Sequence, residues 1–275
     1  MYTDTSTKLQ FHKSTMKINH KINLWLLLLI CFLQNAIFSQ TYKSEVGNLF
    51  VTNYSRSFLN AAITNWSVLQ DRDGIIYIGN NSEGILIYDG QSIRKVLNEK
   101  GLPEYGHVRA LVSDSKHTIY AEVSGGFGYI EKNEFGESIY HSLSNTLPKD
   151  DEVKSTLWGA EVYRDTVFFQ SEKAIYLYKF KKLLKVIKFD NITHSLSKNP
   201  DGIFLRIWGK GFFKFEDGNF KLIPSSKNIF SENRIDGNYL LNNGRHLLIS
   251  RNIGLWYLNK DGSLEKTKSK LLDDY

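Results

Sequence analysis

The sequence predicts an all-β protein, a β-propeller built from four-stranded blades, and three observations support this prediction. A unit that reads turn, apolar strand, loop, glycine, apolar strand and turn recurs along the chain. Its copies follow one another at a period of about 40–50 residues, which is typical of propeller blades. Phenylalanine and tyrosine, with 17 and 15 residues, dominate the aromatic side chains, as they do in β-rich proteins.

Five copies of this unit lie between about Asn65 and Lys266. Three are clear and span residues 71–90, 199–218 and 242–262. Two are degenerate and span residues 108–130 and 157–178, where Lys116-His117 and Arg164-Asp165 replace the usual Asp-Gly or Asn-Gly turn. The sequence therefore predicts about five blades.

The first blade shows how each element follows from its residues. Asp73-Gly74 and Asp89-Gly90 predict tight turns, because glycine accepts a positive φ at little steric cost. The apolar runs beside them predict strands, and the polar residues 80–83 predict a loop between the second and third strands. The predicted strands are Trp66–Gln70, Ile75–Gly79, Ile85–Tyr88 and Ser92–Val96.

The end of the sequence reads like a connection into a further blade, with Leu271-Leu272 before Tyr275. Five blades without a closing strand would leave an exposed sheet edge and unburied faces. We therefore expect an incomplete ring that belongs to a longer protein and is marginally stable alone.

The N-terminal residues indicate export. Lys17, His20 and Lys21 precede an apolar run from Leu24 to Leu33, which is short for a membrane-spanning helix and typical of a signal peptide. We expect cleavage near Ser39-Gln40, with an uncleaved anchor as the alternative, and translation can start at Met1 or Met16. The predicted domains are residues 1–39, extension and signal peptide; 40–64, lead-in; and 65–275, blades.

Composition narrows the function further. The single cysteine, Cys31, lies in the apolar run of the signal, so the exported chain has no thiol for a disulfide or a metal. Half of the net charge of +6 belongs to residues 1–40, and no basic stripe alternates with aromatic residues. The sequence thus predicts no nucleic-acid partner.

Motifs for catalysis and for cofactors do not appear in the sequence. The seven histidines form no HExxH or HxH pair, and no Gly-x-Ser-x-Gly elbow occurs. The run Gly125-Gly126-Phe127-Gly128 is not followed by a helix, so it indicates a loop and close strand packing rather than a phosphate site. Glu161 and Glu172 are acidic candidates for glycosidase chemistry that one sequence does not show converging. We predict no metal, no cofactor and no catalytic residue.

Propeller topology suggests where a ligand would bind. The loops between second and third strands and the connections between blades share one face, and we expect them to be longer and more polar than the turns on the other face. Trp66, Arg109, Trp158 and His194 stand at or just before the starts of innermost strands and should meet near the central axis. Tryptophan with arginine suits sugar recognition. The predicted ligand-binding residues are His107, Arg109, Trp158, Trp208, His194, Asn81 and Glu83.

The units 71–90, 199–218 and 242–262 resemble the two-component regulator propeller repeat. Behind a signal peptide, the resemblance implies the N-terminal sensor region of an exported Bacteroidetes-type regulator, with oligosaccharide ligands, a β-sandwich, one membrane helix and a helix-turn-helix or kinase output further along the chain. It also implies a periplasmic location, inner-membrane anchoring and a homodimer of the intact protein. A secreted propeller enzyme acting on polysaccharide, and a protein-interaction scaffold, remain alternatives.

Overall fold

The structure, a computed structural model, describes residues 51–102 and 106–267, and it confirms the β-propeller. Five sheets follow one another along the chain, each with four consecutive antiparallel strands, and the second of them has a fifth, parallel strand at its edge. They run from Asn65 to Lys266, where the sequence predicts five blades. The predicted signal peptide and the residues that follow Thr267 lie outside the described residues.

The strands of each sheet pair in chain order. Sheet 1 contains β1 (Asn65–Gln70), β2 (Ile76–Asn80), β3 (Ile85–Tyr88) and β4 (Ile93–Lys95). Sheet 2 contains β6 (Ala110–Ser113), β7 (Ile119–Val123), β8 (Gly126–Lys132) and β9 (Ser138–Ser142), and β5 (Leu97–Asn98) adds a parallel edge to β9. Sheet 3 contains β10 (Leu157–Tyr163), β11 (Thr166–Ser171), β12 (Ala174–Lys179) and β13 (Lys182–Lys188).

The last two sheets repeat the same order. Sheet 4 contains β14 (Thr193–Asn199), β15 (Gly202–Ile207), β16 (Gly211–Glu216) and β17 (Asn219–Leu222). Sheet 5 contains β18 (Gly237–Leu240), β19 (His246–Ser250), β20 (Gly254–Leu258) and β21 (Leu264–Lys266). Short helices α1 (Arg56–Leu59) and α2 (Lys227–Phe230) and three 3₁₀ turns, Ser144–Thr146, Lys149–Asp151 and Pro224–Ser226, lie outside the sheets.

The hydrophobic core lies between neighbouring sheets. Because successive side chains of a strand point to opposite faces, Phe169 packs toward sheet 2 while Phe168 packs toward sheet 4. The rings of Phe127 and Phe169 stack across sheets 2 and 3 with centroids 4.2 Å apart. Full burial of such a side chain is worth about 1.5–3 kcal/mol, so these contacts hold consecutive sheets together.

The ring is open in the part of the chain that the structure describes. Each of its four buried clusters joins two consecutive sheets, and none of them joins sheet 5 to sheet 1. Apolar side chains are exposed on both end sheets, with Val68 67% and Tyr239 57% exposed. The predicted incomplete ring therefore agrees with the structure.

Strand register places four side chains equivalently at one end of the innermost strands. Ser67, Ala110 and Gly159 pair with Gly79, Glu122 and Gln170 of their second strands, so the preceding residues, Trp66, Arg109 and Trp158, are equivalent. The pairing shifts at Trp66, at Trp158 and after His194, as a β-bulge does. In sheet 5, Gly237 pairs with Ile249, which gives Asp236 the matching place.

Loop lengths correct one expectation. The loops between second and third strands are short rather than long, since only residues 124–125 join β7 to β8 and only residues 172–173 join β11 to β12. The longer segments on that face are connections between blades, such as residues 143–156 and 223–236. The loops between second and third strands therefore contribute less to a binding face than the sequence predicts.

The glycine-rich run shows the close packing expected of it, although it begins β8 instead of lying between strands. A Cβ added to Gly128 would lie 2.0 Å from the backbone oxygen of His141 on the neighbouring strand. Any side chain at this position would push the two strands apart.

Candidate functional site

A cavity of about 320 Å³ opens where the innermost strands of sheets 2–5 begin. Arg109, Trp158 and His194, three of the residues predicted to meet near the central axis, all line it. Asp236 and Arg234, just before sheet 5, complete its wall. We call this space the inner-strand cavity. Its wall comes from four sheets because equivalent strand positions meet around the axis.

Arg109 and Trp158 form a flat shelf at one side of the inner-strand cavity. The guanidinium carbon of Arg109 lies 4.6 Å from the centre of the Trp158 ring, within the range of a cation–π contact. Arg109 Nη1 also donates a 2.7 Å hydrogen bond to the backbone oxygen of Leu157. These two contacts fix the guanidinium, while the indole remains 42% exposed.

His194 presents a neutral ring to the inner-strand cavity. Its Nδ1 shares a 2.7 Å hydrogen bond with the hydroxyl of Ser195, and its ring centre lies 6.3 Å from that of Trp158. Burial, together with the charges of Arg234 and Arg206, lowers the pKa of His194 to about 4. At neutral pH this imidazole therefore offers hydrogen bonds without a charge.

Asp236 is held between two arginines. Its Oδ1 lies 2.7 Å from Arg234 Nε and 3.0 Å from Arg251 Nη2. Burial acts to raise the pKa of Asp236, but hydrogen bonds from Arg251 and the charge of Arg234 outweigh it and lower the pKa. The group is therefore a fixed carboxylate that organises two guanidinium groups.

Gln170 fixes the base of the inner-strand cavity. It is buried, and its Nε2 donates to the Thr193 hydroxyl at 3.0 Å while its Oε1 accepts from the Leu196 amide at 3.2 Å. These bonds run from sheet 3 to sheet 4. The relative position of the Trp158 and His194 strands is thus set by a satisfied polar contact.

Two further carboxyl groups affect the electrostatics of this region. Glu161 lines the inner-strand cavity, and burial raises its pKa although Lys198 acts to lower it. Glu122 is completely buried on β7, and both of its oxygens are without a hydrogen-bond partner among the described residues. Burial raises the pKa of Glu122 to about 8 against the opposing charge of Arg109. Glu122 is therefore mostly uncharged at neutral pH.

Four of the predicted binding residues lie outside the inner-strand cavity. His107 bonds through Nδ1 to the Ser124 hydroxyl at 3.1 Å, and Glu83 forms a 2.5 Å ion pair with Lys95 within sheet 1. Asn81 Oδ1 accepts a 2.8 Å hydrogen bond from Trp66 Nε1. Trp208 is 47% exposed, and Arg206 lies 4.0 Å from its ring centre. The prediction thus grouped residues that share a face but not a cavity.

Sequence reasoning missed Asp236, Gln170 and Glu122. Asp236 could have been found by extending the alignment of innermost strands to the fifth copy, because it directly precedes β18. Gln170 and Glu122 interrupt the apolar second strands β11 and β7, which is a visible signal of a polar group forced inside.

Neither a metal cluster nor a membrane-spanning helix is found in the described ranges. No group of three or more His, Cys, Asp or Glu side chains in residues 51–102 and 106–267 is placed to hold a metal ion. Within the same ranges, no helix has the length and apolar character needed to cross a bilayer.

Comparison with known proteins identifies solved structures only. No family model matches the chain, and no curated protein matches it. The structure of YCF48 bound to a peptide is 12% identical with a TM-score of 0.55, over 80% of this chain and 74% of that one. Virginiamycin B lyase from Staphylococcus aureus with quinupristin is 10% identical with a TM-score of 0.51, over 77% and 72%. These likenesses establish the propeller fold.

Extracellular domains of two-component systems are also among the similar structures. That of a hybrid two-component system from B. thetaiotaomicron is 17% identical with a TM-score of 0.38, and the match covers 74% of this chain and 32% of that one. The chain spans about a third of the length of such domains.

Proposed function

We propose that this chain is the exported, non-catalytic, ligand-sensing propeller region of a transmembrane signalling or transcription regulator, and that its ligand binds in the inner-strand cavity. The observation that carries the proposal is the meeting of Arg109, Trp158 and His194, from three successive sheets, around one polar cavity. The resemblance of the repeats to sensor propellers supplies the signalling context.

The chemistry of the inner-strand cavity suits a small oligosaccharide. An exposed indole offers an apolar face for a sugar ring, and guanidinium, imidazole and hydroxyl groups offer donors and acceptors for its hydroxyls. Its volume, about 320 Å³, is at the lower end of the usual range for small-ligand sites, about 300–1,000 Å³. We therefore expect one or two sugar units to be enclosed.

The proposal includes a location and a membrane attachment. The basic and apolar residues between Met16 and Ser39 support export to the periplasm. Anchoring through a helix outside this chain, an output domain and a homodimer of the intact protein follow from the repeat resemblance and are parts of the same proposal.

The first prediction tests the inner-strand cavity with the full chain and a panel of oligosaccharides, using calorimetry. Arg109→Ala should weaken binding of any ligand found by about 1–3 kcal/mol, because a buried acceptor loses a charged donor. Trp158→Ala should also weaken it through the loss of a stacking face. Trp208→Ala is the matched control, since this tryptophan also carries an arginine on its ring but lies outside the cavity.

Two outcomes would count against the proposal. Unchanged affinity in both the Arg109 and Trp158 variants would move the site elsewhere, and an equal loss in the Trp208 control would show a general loss of structure. Absence of binding by every sugar on the panel would leave the scaffold interpretation as the better one.

A second candidate function, a secreted enzyme acting on polysaccharide, has one observation in its favour. Glu161 and Asp236 line the same cavity, and their pKa values are moved in opposite directions. Glycoside hydrolysis uses one carboxyl group with a raised pKa as the acid and a second one that stays ionised. Turnover of a glycan by the wild type that is lost in Glu161→Gln would establish this function instead.

A further inference from the structure

Positive charge at the inner-strand cavity exceeds the negative charge available to neutralise it. Arg109 takes part in none of the ion pairs found among the described residues, where its one hydrogen bond goes to the Leu157 backbone oxygen. The rest of its donors are therefore available to a ligand.

The opposite wall has the same bias. Asp236 is the shared partner of Arg234 and Arg251, so this group of three keeps one net positive charge. Arg206 on β15 is completely buried, and it pairs with His194 on the neighbouring strand β14. It donates to the backbone oxygens of Phe230 and Ser231, while its Nη1 is without a hydrogen-bond partner in the described part of the chain.

Of the nearby acids, Glu122 does little to cancel this charge at neutral pH. Burial raises the pKa of Glu161 and raises that of Glu122 to about 8. Burial lowers the pKa of His194, and the charges of Arg234, Arg206 and Arg251 lower it further, while Asp236 acts to raise it. Charge complementarity therefore favours a negatively charged ligand.

We propose that the inner-strand cavity binds the carboxylate of a small acidic ligand, an acidic sugar of one or two units, with Arg109 as the group that receives it. The inference rests on the proposed function, because it names the ligand class of the same cavity. A guanidinium suits the task since its planar fork matches the two oxygens of a carboxylate. The stacking of Arg109 on Trp158 and its bond to Leu157 hold the fork before the ligand arrives.

The experiment compares two probes that differ in charge and in one methyl group. Glucuronate and its neutral methyl ester are titrated into the full chain, and the indole N–H signal of Trp158 is followed by NMR, assigned with Trp158→Phe. We expect glucuronate to shift this signal and to bind at least tenfold more tightly than the ester. Arg109→Gln should remove that preference, and Arg109→Lys, which keeps the charge without the fork, should keep part of it.

Arg72→Gln is the matched control, because it removes the same charge from an exposed arginine of the β1–β2 turn. It should leave both affinities unchanged, which separates a specific contact from the net charge of the chain. Equal binding of glucuronate and ester, or an unchanged preference in Arg109→Gln, would overturn the acidic ligand class.

The outcomes also separate this inference from the proposed function. If a neutral sugar shifts the Trp158 signal as strongly as glucuronate does, the acidic class fails while the cavity remains a sugar site. If neither the two probes nor any neutral sugar shifts that signal, the proposed function and this inference both fail.

Discussion

One position of the second strand carries a buried polar side chain in three consecutive sheets. In sheets 2, 3 and 4 it is occupied by Glu122, Gln170 and Arg206, each buried and each on the face of its sheet that packs on the next sheet. Gln170 forms hydrogen bonds through both Oε1 and Nε2, Arg206 is bonded in part, and Glu122 has no hydrogen-bond partner among the described residues. Burial of a polar group without a hydrogen-bond partner costs folding free energy, so Glu122 destabilises the fold.

Glu122 gives a prediction about the pH dependence of stability. Its pKa is about 8 in the folded chain and 4.5 as the reference value, so the unfolded chain loses this proton first. The free energy of unfolding should therefore fall as the pH rises between these values, by about 2 kcal/mol from pH 6.5 to pH 8. Urea denaturation across that interval measures the slope.

Glu122→Gln should remove this fall, because the amide has the same shape and does not titrate. His194, whose pKa is lowered to about 4, and His107 and His246, whose pKa values are also lowered, make stability rise with pH up to about pH 7, so the loss due to Glu122 is read as the difference between the wild type and Glu122→Gln. Glu137→Gln, at an exposed carboxyl group of the same sheet, should keep the wild-type slope. A slope that is identical in the wild type and in Glu122→Gln would refute the account.

Some residues of the candidate site were predictable from the sequence, and others were not. Trp66, Arg109, Trp158 and His194 could be aligned because each stands at or just before the start of an innermost strand. Trp208, His107, Asn81 and Glu83 were grouped with them since topology gives the face of a loop residue, but the direction of its side chain depends on local partners such as Lys95 and Ser124.

The two hairpin turns of sheet 3 have an unusual backbone conformation for their residue types. Arg164-Asp165 and Phe180-Lys181 join the strands of sheet 3 with positive φ at all four residues. This is the conformation of the two-residue hairpin turn that Asn-Gly normally makes. Residues other than glycine, asparagine and aspartate adopt it at a cost in free energy. Among the turns of the clear copies, only Asp217-Gly218 has positive φ at both residues, so sheet 3 makes this turn twice without a glycine.

Arg164→Asn should stabilise this turn by about 1 kcal/mol, because asparagine adopts the left-handed conformation more easily than arginine. Arg164 is exposed and has a φ of 48°, so few contacts are lost. The urea midpoint of the full chain measures the gain. Arg164→Ala serves as the control, since it also removes the guanidinium but keeps the left-handed cost; an equal gain there would mean that turn conformation is not the cause.

Element prediction succeeded where turn and strand signals agreed. The turns at Gly74 and Gly90 and the third strand, Ile85–Tyr88, stand as predicted. Loop length was the weaker point, because the polar residues between second and third strands include the last residue of a strand, as Asn80 is the end of β2. Polarity indicated exposure there, whereas Asn80 is buried by hydrogen bonds to the backbone of Ala62 and the side chain of Asn65.

Stability is unequal across the whole molecule. Sheets 2, 3 and 4 pack against a neighbour on both faces, whereas in the described residues sheets 1 and 5 each share a buried cluster with one neighbour only. Stacked repeats gain stability from each interface, so the end sheets have less of it. The same geometry accounts for the exposed apolar side chains Val68 and Tyr239.

Native-state hydrogen exchange of the full chain should show this gradient. We expect the amides of β11 in sheet 3 to exchange slowest, and those of β1 and β21 to exchange fastest through local opening. Phe169→Ala, which empties the stack with Phe127, should speed exchange in sheets 2 and 3 together. Uniform protection across all five sheets would contradict the open arrangement.

The bond from Arg109 to the Leu157 backbone, which crosses from one blade to the next, bears on the proposed signalling. A ligand in the inner-strand cavity would touch residues from 109 to 237 of the sequence, and no blade would hold enough of the site to bind it alone. Occupancy would then depend on the angles between blades, so a twist imposed far from the cavity would change affinity. By reciprocity, a bound ligand would resist that twist. Its presence would reduce the motion of the blades relative to one another.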